Sequence, residues 1–172
     1  TSTGTIKGKT GLSTQVGIGI NNSGAIIGTN GDAITATNGN TKLTNNALVQ
    51  GTENGINVKD TAKLDIKNSG TISGNTAAIM FASNKNNTLL DTGSVLVGDV
   101  ISTNSTGNTL TLIGTGTEDS NFVGLNEGDG FASVTMNGEN WALSGDIDII
   151  GSGDSLMIDK GALTLAGEVS NT

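Results

Sequence analysis

The chain has 172 residues, enough for one domain with a sizeable core, carries a net charge of −8, and contains no Pro, Cys or His. Without Cys there are no disulfides and no thiolate zinc sites; without His the Ser-His-Asp triad, the commonest general base and most transition-metal sites are excluded. The acidic balance, the eight scattered basic residues and an aromatic content of 2% argue against nucleic acid, which needs a basic stripe and stacking rings.

Hydrophobic residues make up 34% of the chain, and Gly, Asn, Ser and Thr fill the polar positions. Low hydrophobicity with net charge is a signature of disorder. Only 14% of residues are charged, however, and Ile, Leu and Val recur at regular intervals, which a disordered chain has no reason to do. No stretch approaches the roughly 20 apolar residues of a membrane span. The chain opens on Thr1-Ser2-Thr3 with neither Met nor a basic segment leading into an apolar run, which reads as a mature or excised fragment.

The repeating unit is clearest at Asn68-Ser69-Gly70-Thr71-Ile72-Ser73-Gly74, a polar turn, an apolar residue and a second turn. Five stretches align on a Gly two residues after an apolar position: Ile6 to Gly8, Ile26 to Gly28, Val49 to Gly51, Ile72 to Gly74 and Leu96 to Gly98. The glycines stand 20, 23, 23 and 24 residues apart. A further apolar residue follows each, namely Leu12, Ile34, Ile56, Ile79 and Val100. A third element alternates, as in Leu64-Asp65-Ile66 and Leu110-Thr111-Leu112. Each unit therefore predicts three short period-2 strands, and no window carries a helical stripe.

A repeat of this length predicts an all-β fold, a right-handed parallel β-helix of about seven coils with three short strands per coil. Coils stacked about 4.8 Å apart would make a rod roughly 35 Å long. A narrow cylinder admits Ile, Leu, Val and Ala but few rings. Gly and Asn suit its corners, and stacked Asn or Thr can bond between coils. Residues 1–109 read as repetitive coils, 110–137 as an irregular coil or loop insertion, and 138–172 as a return to order in shorter periods.

Short motifs invite chemical readings. Asp91-Thr92-Gly93, with Ile149-Ile150-Gly151 later, matches the loop of an aspartic protease. In the repeat it falls on Asn68-Ser69-Gly70 and Asn22-Ser23-Gly24, which makes it a corner. Gly153-Asp154-Ser155-Leu156 matches a lipase nucleophile motif, but no His is present to activate Ser155. Asp146, Asp148, Glu127 and Asp129 form acidic pairs that read as solvated faces rather than as a calcium loop. Sequons at Asn21, Asn86 and Asn104 are expected by chance in so Asn-rich a chain. Thr35-Ala36-Thr37 and Thr115-Gly116-Thr117 share no rank of the repeat, which leaves no flat ice-binding face. Trp141, the single Trp, reads as a core or end-cap ring rather than a sugar platform.

The run Gly138-Glu139-Asn140-Trp141-Ala142-Leu143-Ser144-Gly145, followed by Leu156, Ile158 and Gly161 through Val169, resembles the C-terminal passenger coils of bacterial type V autotransporters. The resemblance implies an autochaperone-like region in which Trp141, Leu143, Gly145, Leu163, Leu165 and Gly167 serve folding. It implies a non-enzymatic stem of an adhesin or virulence factor on the bacterial cell surface. There it would be anchored through an outer-membrane barrel outside this chain, with no cofactor and no membrane insertion of its own. The implied partners are the chain's own translocator barrel and a host surface or cytoskeletal protein, or a second copy in self-association. A carbohydrate-active β-helix is the enzymatic alternative, and it would need acids clustered on one face.

Overall fold

A computed structural model describes residues 1, 3–102, 107–118, 131–145, 147–148 and 155–170. Among them are strands and turns and no helix. The chain is a right-handed parallel β-helix. Its strands form three rows, visited in the same order from residue 5 to residue 118. The first row contains β1 (Thr5–Gly8), β4 (Ala25–Gly28), β7 (Leu48–Gly51), and the leading parts of β10 (Thr71–Phe81) and β12 (Val95–Ser102). It resumes with β14 (Thr115–Glu118) and the trailing parts of β15 (Ser133–Leu143) and β17 (Ser155–Leu165).

The second row holds β2 (Leu12–Thr14), β5 (Ile34–Ala36), β8 (Asn54–Val58) and the trailing parts of β10 and β12. Strands β16 (Ile147–Asp148) and β18 (Val169–Ser170) pair separately. The third row runs β3 (Gly19–Asn22), β6 (Asn40–Asn45), β9 (Lys63–Asn68), β11 (Asn87–Leu90), β13 (Thr109–Leu112), then the leading parts of β15 and β17. Its seven levels are joined by about six turns of chain, so the solenoid is one turn shorter than the expected seven coils.

Registers follow the sequence repeat. Ile6, Ile26, Val49, Ile72 and Leu96 occupy one rank, and Leu12, Ile34, Ile56, Ile79 and Val100 another. Most of these side chains are fully buried, and together with Leu43, Leu64, Leu110 and Val134 they form one continuous core. Strands are not uniformly short, however. β10, β15 and β17 each span 11 residues, because the chain turns a corner through a register shift without leaving the ladder. Such bulges bend a strand while most of its backbone bonds remain paired.

The repeated glycines serve close approach. A Cβ on Gly28, Gly51 or Gly74 would strike the carbonyl oxygen of Asp32, Asn54 or Ala77, respectively, where the chain folds back into the second row. Of this rank only Gly98 has a left-handed backbone, with φ of 105°.

The last inward position of the third row carries an asparagine ladder. Asn22 Nδ2 donates to Asn45 Oδ1 at 2.8 Å, and Asn45 Nδ2 donates to Asn68 Oδ1 at 2.7 Å. Each Asn also bonds the backbone two residues ahead: Asn22 accepts from Gly24 N, Asn45 accepts from and donates to Ala47, and Asn68 does the same with Gly70. This is the Asx turn that makes Asn a corner residue, here repeated on three levels. All three side chains are fully buried. At the next level Leu90 takes the rank, and Ser94 Oγ closes the ladder by accepting from Asn68 Nδ2 at 2.6 Å.

Asn45 has ladder neighbours on both sides. Asn45→Ala should cost about 1–3 kcal/mol by leaving buried partners unsatisfied. Asn21→Ala, exposed on the outward face of an adjacent level, should stay within about 0.5 kcal/mol. Urea unfolding of both variants measures the difference, and equal midpoints would remove the ladder from the stability argument.

Candidate functional site

The Asp91 corner is a turn, in a register one residue away from the one the repeat suggests. Leu90, not Asp91, pairs with Asn68, and Val95 N donates to Gly70 O at the next strand's entry. Four residues link β11 to β12 where two link β9 to β10, because Leu90 lacks the side-chain amide that tightens the Asn68 turn. Ser94 N donates to Asp91 O at 2.9 Å, Thr92 N donates to Asp91 Oδ1 at 2.8 Å, and Gly93 adopts φ of 86°. Asp91 Oδ2 lies 3.7 Å from Lys67 Nζ. A carboxylate so occupied, on the outside of a solenoid, has a structural role in its turn. Ile149-Ile150-Gly151 lies outside the described residues.

Other sequence candidates disperse. Ser155 begins β17, while Gly153-Asp154, Glu127, Asp129, Asp146 and Asn104 lie outside the described residues. Asn86 is fully buried and bonded to Asn108 and Ser83, so its sequon faces the interior. Thr35 and Thr37 belong to the second row, and Thr115 and Thr117 to the first. Among the described residues no three His, Cys, Asp or Glu side chains gather as a metal-binding group.

Trp141 is fully buried, so its ring has no face for a sugar. Its Nε1 donates to Ile113 O at 3.0 Å. Leu143 and Gly145 are buried beside it, whereas Leu163, Leu165 and Gly167 are half-buried at the C-terminal end. Phe81 and Phe131 pack edge to face with centroids 6.0 Å apart, so the core holds rings from separate coils. Within the 110–137 stretch, β13, β14 and the start of β15 stack as regular strands, and residues 119–130 lie outside the described set.

Four features carry no repeat signal and escape sequence reading. Asp32, 6% exposed, accepts from Asn54 Nδ2, Asn57 Nδ2 and Thr35 Oγ1 at 2.7–2.9 Å, and so buries a carboxylate under three donors at a corner. On the outer third row a shallow groove of about 340 Å³ runs between Lys42, Asp65, Lys67 and Leu89. Along that row Asp65, Asn87 and Thr109 form an outward hydrogen-bonded ladder. The outer first row bears no ionisable residue from β4 to β17, and Val95 and Val97 stand 45% and 47% exposed on it.

Charge is also polarised along the chain. Residues 1–90 carry a net +3 and residues 91–172 a net −11. Among the described residues neither end brings together a nucleophile and a base, nor converging acids that could protonate a glycosidic oxygen. No protein-family model matches the chain, and no curated protein or solved structure matches it either.

The Lys67–Asp91 pair is half open to solvent, so Asp91→Ala should reduce stability by no more than about 1 kcal/mol. Thermal or urea melts check this. A loss several times larger would mean that the corner does more than turn the chain.

Proposed function

We propose that this chain is a surface-exposed, non-enzymatic stem, similar to the passenger of a bacterial autotransporter, whose C-terminal coils direct the folding of the rest. A single observation carries the reading: one uninterrupted apolar core runs through stacked coils whose corner groups are satisfied by side-chain ladders. Such a body is stiff along its axis and displays its outer faces at fixed spacing. Because each coil buries its apolar residues only against neighbours, folding can start at one end and propagate. The largest core ring, Trp141, lies toward the C-terminus and suits that end as the start. In this reading the chain sits outside the cell, is held by an outer-membrane barrel beyond its own residues, and presents an adhesin or a host-protein-binding surface.

Removing residues 138–172 should slow refolding of the remaining coils by at least tenfold, as expected when a folding nucleus is lost. Stopped-flow circular dichroism measures it. Cooperative refolding at an unchanged rate would end the template reading.

A second reading, self-association through the first row, is favoured by its uncharged outer face with Val95 and Val97 exposed. Two rods of net charge −8 can approach most closely where neither presents a charge. Val97→Lys should then lower the apparent mass in light scattering to that of a monomer. A monomeric unmodified chain at high concentration would dispose of this reading.

A further inference from the structure

The inner column of the first row is aliphatic through Ile6, Ile26, Val49, Ile72 and Leu96. At β14 the inward position is Gly116, and Trp141 lies next to it in register. A Cβ on Gly116 would fall on Cη2, Cζ3 and Cζ2 of the Trp141 ring. The ring thus reaches out of its own level into space that Gly116 vacates. Its Nε1 also donates to Ile113 O, so one buried side chain is held at two points of the preceding level.

This insertion sits where the first-row ladder changes hands. β12 belongs to one sheet and β14 to the other. Leu96 N donates to the buried side chain of Glu118, at Oε2 and 3.2 Å, rather than to a ladder carbonyl. Residues 119–130 then intervene before β15 returns to pair with β14. A slip of two residues at that return would keep every side chain on its proper face, so the alternation alone does not forbid it. Such a slip would set Leu143 against Gly116, with an aliphatic side chain in place of the ring.

We propose that Gly116 is a socket for Trp141, and that this one insertion fixes the register in which the C-terminal coils join the preceding solenoid. The inference deepens the folding-template reading and rests on it for its biological role. Size complementarity does the selecting. Only the ring fills the space over a residue without a side chain, and only in the native register does its N–H meet Ile113 O.

The chain has no native Cys, so register can be read by oxidative cross-linking of introduced pairs in the full chain. Thr115→Cys with Asn140→Cys reports the native register, since those positions are paired and face outward. Thr115→Cys with Ala142→Cys reports the slip. Neighbouring strands bring Cα atoms close enough for a disulfide. In the otherwise unmodified protein the first pair should close and the second should not. With Gly116→Val and Trp141→Leu together, which rebuilds an ordinary aliphatic column, the slipped pair should close in at least a tenth of refolded molecules. Far-UV circular dichroism shows that this variant is folded. If it fails to fold, Trp141→Phe with Gly116→Ala serves in its place with the same expectation. Cross-linking of the native pair alone in these variants would overturn the socket. If the slipped pair forms as stated while the truncated chain lacking residues 138–172 still refolds normally, the socket stands and the template reading falls.

Discussion

A parallel ladder sets each residue against its equivalent one turn away, and this constraint governs the rest of the molecule. An inward side chain is covered above and below by its own rank, so most ranks are chemically self-compatible, with exceptions such as Thr88 between Ile66 and Leu110. Ile on Ile, Val on Leu and Asn on Asn meet that condition. A lone polar group inside such a cylinder would lose its water and gain nothing. Asn therefore appears as a run from Asn22 to Asn68, and where the run ends a hydroxyl from Ser94 has to finish it.

The same constraint explains the corners. Where an Asn closes the third row, its amide bonds the backbone ahead and two residues suffice for the turn. Where Leu90 replaces it, the corner lengthens and Asp91 and Gly93 take over with an ordinary hydrogen-bonded turn. Asp91-Thr92-Gly93 is thus a consequence of the ladder ending one level earlier. Its likeness to a protease loop follows from the preference of all such turns for Asx and Gly.

With the interior so restricted, variation is pushed outward and into the joints. The outer third row carries lysines and a polar ladder, while the outer first row carries no charge from β4 onward. The joint between β12 and β14 replaces backbone pairing with Glu118 and an aliphatic rank with the Gly116–Trp141 insertion. These departures from the repeat distinguish one outer face and one seam from an otherwise uniform stack.

By itself the sequence determined the solenoid, its strand ranks and the burial of Trp141, because one-dimensional stacking turns spacing along the chain directly into contact in space. The aliphatic ranks at Ile26 and Ile34 and the corner shared by Asn22 and Asn68 were legible for that reason, while the place of Asn45 between them was not. Only the tertiary structure decided the shift at Leu90, the fusion of strands into β10 and β15, the donors around Asp32 and the pairing of Gly116 with Trp141. Each depends on how many residues a corner consumes, and that number is set by which side chain closes the turn in three dimensions.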